Sequence, residues 1–441
     1  MAHALVVGLG ITGRAVAGAL VQRGHDVVAV DDRPDAGTRA AATALGIELV
    51  EAPDDTRYDA LIAGADMVLP SPGLGDAHRS IVAARRLGVA VRSEFDLAAD
   101  WDHRPLLAIT GTDGKTTVTT LATAMLEASG VRAMAVGNTE VPLVAAIADP
   151  AIEVFVVEAS SFRLEHSERF APLVATWLNV APDHLNLHRS YDDYVAAKAR
   201  IWRDQDAASY AVGSADDPVV LDRLRQAPAR HVTFGLARAA DYRVTDGRLV
   251  TPTGDELAAV DDLWRAFPHD VTNALAAAAT ALPGGASIDG CRAAISGFEG
   301  LPHRIALVAD AGGVAWYDDS KATTPNAALA AVRSFGSVVL IAGGRNKGLD
   351  LNVLAMESDR IRGVVAIGEA AAEVEAAFAG LRPVVAASSM GAAVKEAAAM
   401  AQEGDAVLLS PACASFDWYE SYGERGDDFA IHVRTLTGAQ D

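Results

Sequence analysis

Short apolar runs alternate with alanine-rich stretches of helical character along almost the whole chain. That alternation is the pattern of βαβ units and parallel sheets. It predicts a strand over 4–7, a glycine turn, a helix over about 14–23, and a second strand over 26–30 that ends in Asp31 and Asp32. Further strands are expected over 67–69 and 89–92. A second section opens with a strand over 106–110, a glycine turn and a helix to about 129, with later strands over 154–157 and 176–180. The alanine-rich stretch 274–282 is too short to cross a membrane and reads as a packed helix. A third section has strands over 314–317, 338–342, 364–367 and 406–409. Boundaries near 92 and 298 give three domains, 1–92, 93–297 and 298–441. There is no sequence repeat.

Composition narrows the class. The chain has 441 residues, 51% hydrophobic and 22% charged, which suits a globular protein and excludes a disordered or collagenous one. The formal net charge of −21 argues against non-specific binding to nucleic acid or to anionic membranes. Anionic small molecules respond to the local field, so well-placed amides and a few cations could still hold them. Two cysteines, Cys291 and Cys413, are too few for a disulfide framework and fit a reducing compartment. The opening residues lack a basic leader, and no uninterrupted apolar run is long enough for a membrane span. A cytoplasmic protein without nucleic-acid or membrane partners is expected.

Two glycine turns carry candidate chemistry. Gly8-Leu9-Gly10-Ile11-Thr12-Gly13 fits GxGxxG after a strand and before a helix, with Asp31 at the end of the next strand. Such a turn allows close approach of a diphosphate to a helix N-terminus. Nicotinamide and other nucleotides satisfy it equally. Gly111-Thr112-Asp113-Gly114-Lys115-Thr116-Thr117 is the stronger signal. Its amides can cradle a triphosphate, Lys115 can reach the outer phosphates, and Thr116 can ligate Mg²⁺. Ile109 occupies the first glycine position of the strict motif, so the loop is a variant. An acid at the end of an apolar strand commonly holds the metal beside such a loop. Glu158, after residues 152–157, fits. The segment NVAPDHLN at 179–186 also follows a strand end and brings Asp183 and His184 to the same edge.

In this order these elements resemble the Mur ligases, ATP-dependent enzymes that add amino acids to peptidoglycan precursors. The matching segments are GTDGKTT, EASSFRLE at 158–165, NVAPDHLN, YVAAKARI around Lys198, LPHR at 301–304 and DDSKATTPNA at 318–327. Ser71-Pro72-Gly73 and SPACASFDWYESYGERG from Ser410 place the resemblance in the branch that joins D-glutamate to UDP-N-acetylmuramoyl-L-alanine. It implies an α/β fold of three domains: a Rossmann-like N-terminal domain for the UDP substrate, a central P-loop ATPase-like domain for ATP, and a Rossmann-like C-terminal domain. It also implies ATP with two Mg²⁺ sites as cofactors, small-molecule substrates as the partners, and a monomer.

Roles follow from the resemblance residue by residue. Gly111 to Thr117, with Asn273, Arg304 and Asp319, would bind ATP. Gly10, Ile11, Thr12, Asp31, Asp32, Arg33, Ser71, Pro72, Gly73, Asn138, Ser160 and His184 would bind the UDP substrate. His303, Thr323, Lys347, Ser415, Phe416 and Tyr422 would receive D-glutamate. Thr116 would serve the ATP-bound Mg²⁺, and Glu158, His184 and a carbamylated Lys198 a second metal. Lys115, Glu158, His184, Lys198 and Lys321 would carry catalysis. Only five of the 37 basic side chains are lysines, and four of those five, Lys115, Lys198, Lys321 and Lys347, are among the residues given these roles. Arginine cannot replace a lysine that must become a carbamate. Four positions depart from the family pattern: Asp113 where Asn is common, Arg163 where Gln is usual, Asp270 for one of two Asn near adenine, and Tyr422 for Phe. The rivals are a ligase adding L-alanine, a folate polyglutamate ligase, an NAD-dependent oxidoreductase resting on the first turn, and a nucleotide-binding regulator.

Overall fold

A computed structural model describes residues 2–183 and 187–439. Its first sheet is fully parallel, ordered Glu48–Glu51, Asp26–Asp31, His3–Val7, Met67–Pro70, Ala90–Val91. The order reverses on either side of His3–Val7. Ligands of open α/β sheets bind in the crevice beyond the strand ends at such a point. Both the first glycine turn and Ser71-Pro72-Gly73 leave the sheet there.

The second sheet, also parallel, is ordered Arg230–Phe234, Tyr210–Ser214, Val174–Trp177, Leu106–Thr110, Val154–Glu158, Ala133–Gly137. One of its faces is covered by the helices Lys115–Ala128 and Pro268–Ala281. Ala274, Ala276, Ala277, Ala278 and Ala279 are fully buried. Small side chains there let the helix backbone approach its neighbours closely, as the alanine-rich pattern anticipates. The third sheet, ordered Ala306–Ala311, Val314–Asp318, Ala406–Leu409, Val338–Gly343, Ile361–Ile367, Val384–Ala387, is parallel except for its first strand.

Several elements differ from the sequence reading. The first helix is Ile11–Gln22, so Thr12 and Gly13 lie inside it. A Cβ on Gly13 would strike the Gly8 carbonyl oxygen, which is why a poor helix former sits there. The strand expected over 176–180 is Val174–Trp177. Beyond it the backbone turns to serve the second glycine loop, with Thr112 N donating to Asn179 O at 3.1 Å. An antiparallel three-stranded sheet, Arg243–Thr245, Arg248–Val250 and Glu256–Ala259, was not anticipated. Its strands are too short and polar to stand out as runs.

The described residues form two compact units. One holds the chain up to Phe298 apart from two short stretches. The other holds those stretches, 181–183 and Phe267–His269, with the chain from Glu299 onward. No helix among the described residues is long and apolar enough to cross a membrane.

Candidate active site

The second glycine loop joins Leu106–Thr110 to Lys115–Ala128. Gly114 caps that helix at φ +84°, and a Cβ there would lie 2.7 Å from Asn273 Oδ1. Lys115 Nζ lies over the loop and donates to the carbonyls of Gly111 and Thr112, each at 2.8 Å. The amide of Asn179 fixes the loop from the neighbouring strand end. Its Oδ1 accepts from Thr112 N at 3.0 Å and Asp113 N at 2.9 Å, and its Nδ2 donates to Asp113 O at 3.1 Å. The sequence reading covered Asn179 only as the start of a motif. Its presence at a strand end beside a P-loop was the available signal. Thr116 and Thr117 occupy the first helical turn, Thr117 buried. A cavity beside this loop is lined by Leu178, Asn179, Asp216, Phe234, Thr272 and Asn273. Asp270 is instead held by Arg265, with Nε donating to Oδ2 at 2.9 Å.

Glu158 ends the adjoining strand Val154–Glu158 and is 3% exposed. Asn138 Nδ2 donates to its Oε1 at 3.0 Å. Its Oε2 is buried with no hydrogen-bond partner among the described residues. A desolvated carboxylate oxygen left this way is costly and calls for a cation. The hard oxygen donor suits Mg²⁺. Asn138, expected on the UDP substrate, thus orients this carboxylate. Lys198, 1% exposed, donates from Nζ to Gly111 O at 2.7 Å and lies 4.6 Å from the Tyr194 ring centre. Tyr194 also bonds Thr112 Oγ1, at 3.1 Å. His184 lies outside the described residues, and Asp183 is buried. Ser160 immediately precedes the short helix Ser161–Glu165 without a side-chain capping bond, its Oγ buried without a partner among the described residues.

At the first glycine turn, Asp31 Oδ2 accepts from Leu9 N at 3.0 Å and Oδ1 from Arg33 N at 2.9 Å. The acid shapes the turn. Ser71 Oγ donates to Gly8 O at 2.9 Å, where Gly8 has φ +85°. Asp32 pairs with Arg79 at 2.6 Å. Gly10 precedes the helix, Ile11 is 67% exposed, and Pro72 and Gly73 follow Ser71 at the neighbouring strand end.

The unit beginning at Glu299 gathers the remaining candidates. His303, at φ +58°, pairs through Nδ1 with Asp318 Oδ2 at 2.6 Å, a contact that raises its pKa. Burial pushes the Asp319 carboxyl up to about 7, against the Ser410 hydroxyl, which donates to it at 2.7 Å, and the nearby Arg304 charge. Lys321 N donates to His303 O at 3.1 Å, and Lys321 Nζ lies 5.3 Å from the Tyr422 ring centre. Thr323 follows in the same turn. Arg425, unremarked in the sequence, is 1% exposed and donates to Ser320 Oγ, Ser320 O and Cys413 O at 2.9, 2.8 and 3.1 Å. It binds the Lys321 segment to the one carrying buried Ser415 and exposed Phe416. Lys347 is half-buried in the loop after Val338–Gly343.

The Mur ligase MurD-like N-terminal domain matches residues 2–93, the Mur ligase middle domain 109–281, and the Mur ligase glutamate ligase domain 303–413. A UDP-N-acetylmuramoylalanine–D-glutamate ligase of Frankia casuarinae is 44% identical over 98% of this chain and 94% of its own. The Desulfosudis oleivorans protein of the same name is 39% identical over 98% of this chain and 96% of its own. Among solved structures, the MurC UDP-N-acetylmuramate-alanine ligase of Thermotoga maritima aligns with TM-score 0.59 at 20% identity, covering 99% of this chain and 100% of that one. The MurF ligase of the same organism, in complex with ADP, gives 0.61 at 16%, covering 99% and 95%. At those identities the likeness is one of fold.

Proposed function

The chain belongs to the Mur ligase family, and on that premise we infer that it joins D-glutamate to UDP-N-acetylmuramoyl-L-alanine, with ATP, in peptidoglycan precursor synthesis. The observation that carries this is the similarity, over nearly the full length, to ligases named for that reaction, with a MurD-like N-terminal domain among the matches.

A carboxylate oxygen is a poor leaving group, so amide formation needs an activated acyl carbon. The γ-phosphoryl group of ATP passes to the L-alanyl carboxylate and ADP departs. The D-glutamate amine then attacks the acyl carbon, the C–O bond breaks, phosphate leaves, and the nitrogen loses a proton. Lys115 and the amides of the Gly111–Gly114 loop hold the phosphates and balance their charge, and Asn179 keeps that loop in shape. The adenosine part fits the cavity beside Asn273. Thr116 and Glu158, with His184 and Lys198, would hold Mg²⁺ in two sites, where it would supply charge neutralisation. Lys198 would act as a carbamate. Its nitrogen keeps one N–H after carbon dioxide adds, so the bond to Gly111 O survives the modification. Asp319, Arg304 and Lys321 complete the nucleotide side. His303, Thr323, Lys347, Ser415, Phe416 and Tyr422 receive D-glutamate, whose two carboxylates need cations and hydroxyl or amide donors. The first glycine turn, with Asp32, Arg33, Ser71 and Ser160, takes the UDP substrate. The chain works as a cytoplasmic monomer with domain limits near 92 and 298.

The test is phosphate release. It requires ATP, UDP-N-acetylmuramoyl-L-alanine and D-glutamate together. Equal release with L-glutamate or L-alanine, or without any amino acid, rules the assignment out.

A further inference from the structure

Arg163 sits on the short helix Ser161–Glu165, directly after the strand that carries Glu158. Its side chain is 6% exposed, and so is almost wholly removed from water. It reaches two other segments. Nη2 donates to Thr12 Oγ1 at 3.0 Å, on the first turn of the helix that opens at the GxGxxG loop. Nη1 forms an ion pair with Glu94, itself 3% exposed, on helix Glu94–Trp101. The guanidinium also lies 5.9 Å from the Phe95 ring centre.

The Glu94 helix is tied to the same region independently. Asp96 Oδ1 accepts from Glu168 N at 2.8 Å and Arg169 N at 2.9 Å, and the Ser93–Asp96 capping box holds its first turn. A cavity opens beside these groups, lined by Thr12, Gly13, Pro72, Glu94, Phe162 and Arg163. Arg163 Nε is buried without a hydrogen-bond partner among the described residues. Burial lowers the guanidinium pKa to about 10, which leaves it charged at neutral pH. The resemblance led to glutamine at this position. A glutamine amide could donate to Thr12, but it could not also neutralise a buried Glu94. Where a family uses a neutral side chain, this chain has built a buried ion pair.

We propose that Arg163 is a positioning residue for the UDP substrate: through Thr12 and Glu94 it locks the first glycine turn to the segment that follows Glu158. The physical reason is the fixed fork of the guanidinium, which engages two partners in one plane at little entropic cost. Thr12 stands in the first turn of the helix that this glycine turn opens, so its placement sets how that helix N-terminus is offered to the diphosphate. The link also fixes the distance from that turn to the Glu158 carboxylate, and hence from the nucleotide end of the substrate to its reacting end.

The proposal rests on the UDP-substrate reading, and the readout is chosen to keep the two apart. Binding of UDP-N-acetylmuramoyl-L-alanine is measured by calorimetry without ATP, alongside turnover of the unaltered protein. Arg163→Met is expected to weaken UDP-substrate binding about tenfold and to leave the KM for ATP within about twofold. Arg163→Gln with Glu94→Gln is expected to bind within about threefold of the unaltered protein, because the amide still donates to Thr12 and no charge is left buried alone. If Arg163→Met fails to fold around an unpaired Glu94, Arg163→Met in the Glu94→Gln background gives the same comparison. Unchanged UDP-substrate binding in the Met variant, with only a lowered melting temperature, overturns the proposal. So does a Gln pair that binds as weakly as Met. An unaltered protein that binds the UDP substrate without turning it over refutes the functional reading while leaving this comparison intact.

Discussion

Lys198 shows how one side chain divides the competing readings. It is buried, between Ala197 and Ala199 of its helix, and its ammonium donates to the loop carbonyl of Gly111. As a plain lysine it would be a loop strut, and arginine, with its several donors, could partly replace it. As a carbamate it supplies two anionic oxygens, which arginine cannot. Lys198→Ala and Lys198→Arg are therefore both expected to lose at least about two orders of magnitude in kcat, close to 3 kcal/mol, with acetate restoring part of the activity of Lys198→Ala only. Steady-state rates with and without acetate check this, and near-normal turnover of Lys198→Arg would favour the strut. Asp319 supplies a second residue-scale prediction. Its folded pKa of about 7 stands above the ordinary 3.8. The folded state thus binds the proton more tightly than the unfolded chain. That stabilisation is complete below pH 4 and is lost as pH rises towards 7, by roughly 1.4 kcal/mol per pH unit. Asp319→Asn should remove the loss, so its melting temperature gains on the unaltered protein between pH 4 and 7 and runs parallel above. Thermal scans across that range decide it; parallel curves throughout would exclude the effect.

At the scale of elements, the second glycine loop, proposed to hold ATP, is a strand–turn–helix unit held in shape from a neighbouring strand end. Gly114 supplies the left-handed residue at the helix start, and Asn179 supplies three side-chain hydrogen bonds. Gly114→Ala forces a side chain into φ +84° at a cost of about 1–2 kcal/mol and drives its Cβ against Asn273. Asn179→Ala leaves the helix intact but frees the loop, and each lost bond is worth about 1 kcal/mol. Both variants should raise the KM for ATP about tenfold or more while leaving UDP-substrate binding unaltered. Initial rates at varied ATP, paired with calorimetry of the UDP substrate, measure this. A KM for ATP that does not move in Asn179→Ala would remove that residue from the loop's support.

At the scale of the molecule, the charge balance and the cores bear on assembly. The net charge is −21, and the large sheets are covered by apolar clusters within the described residues. Like-charged copies repel one another. Sedimentation velocity at physiological salt is expected to give one species near 45.8 kDa. A concentration-dependent shift towards twice that mass would contradict the monomer.

The sequence determined the strands with the longest apolar runs, both glycine turns and the family, because these signals are local. Leu106–Thr110 and Ala406–Leu409 were legible residue for residue, since a strand buried on both faces must be continuously apolar. The strand-end acid Glu158 and the rare lysines were legible because their chemistry admits few substitutes. Only the tertiary structure decided what these groups touch. It put Asn138 on Glu158, Asn179 on the second glycine loop, Arg425 across two segments and Arg163 on Thr12, 151 residues away. It also set Asp31 to shaping its turn and added the antiparallel strands of 243–259. A hydrogen bond depends on where two backbones meet in space. Between residues that far apart in the chain, local periodicity carries no record of the meeting.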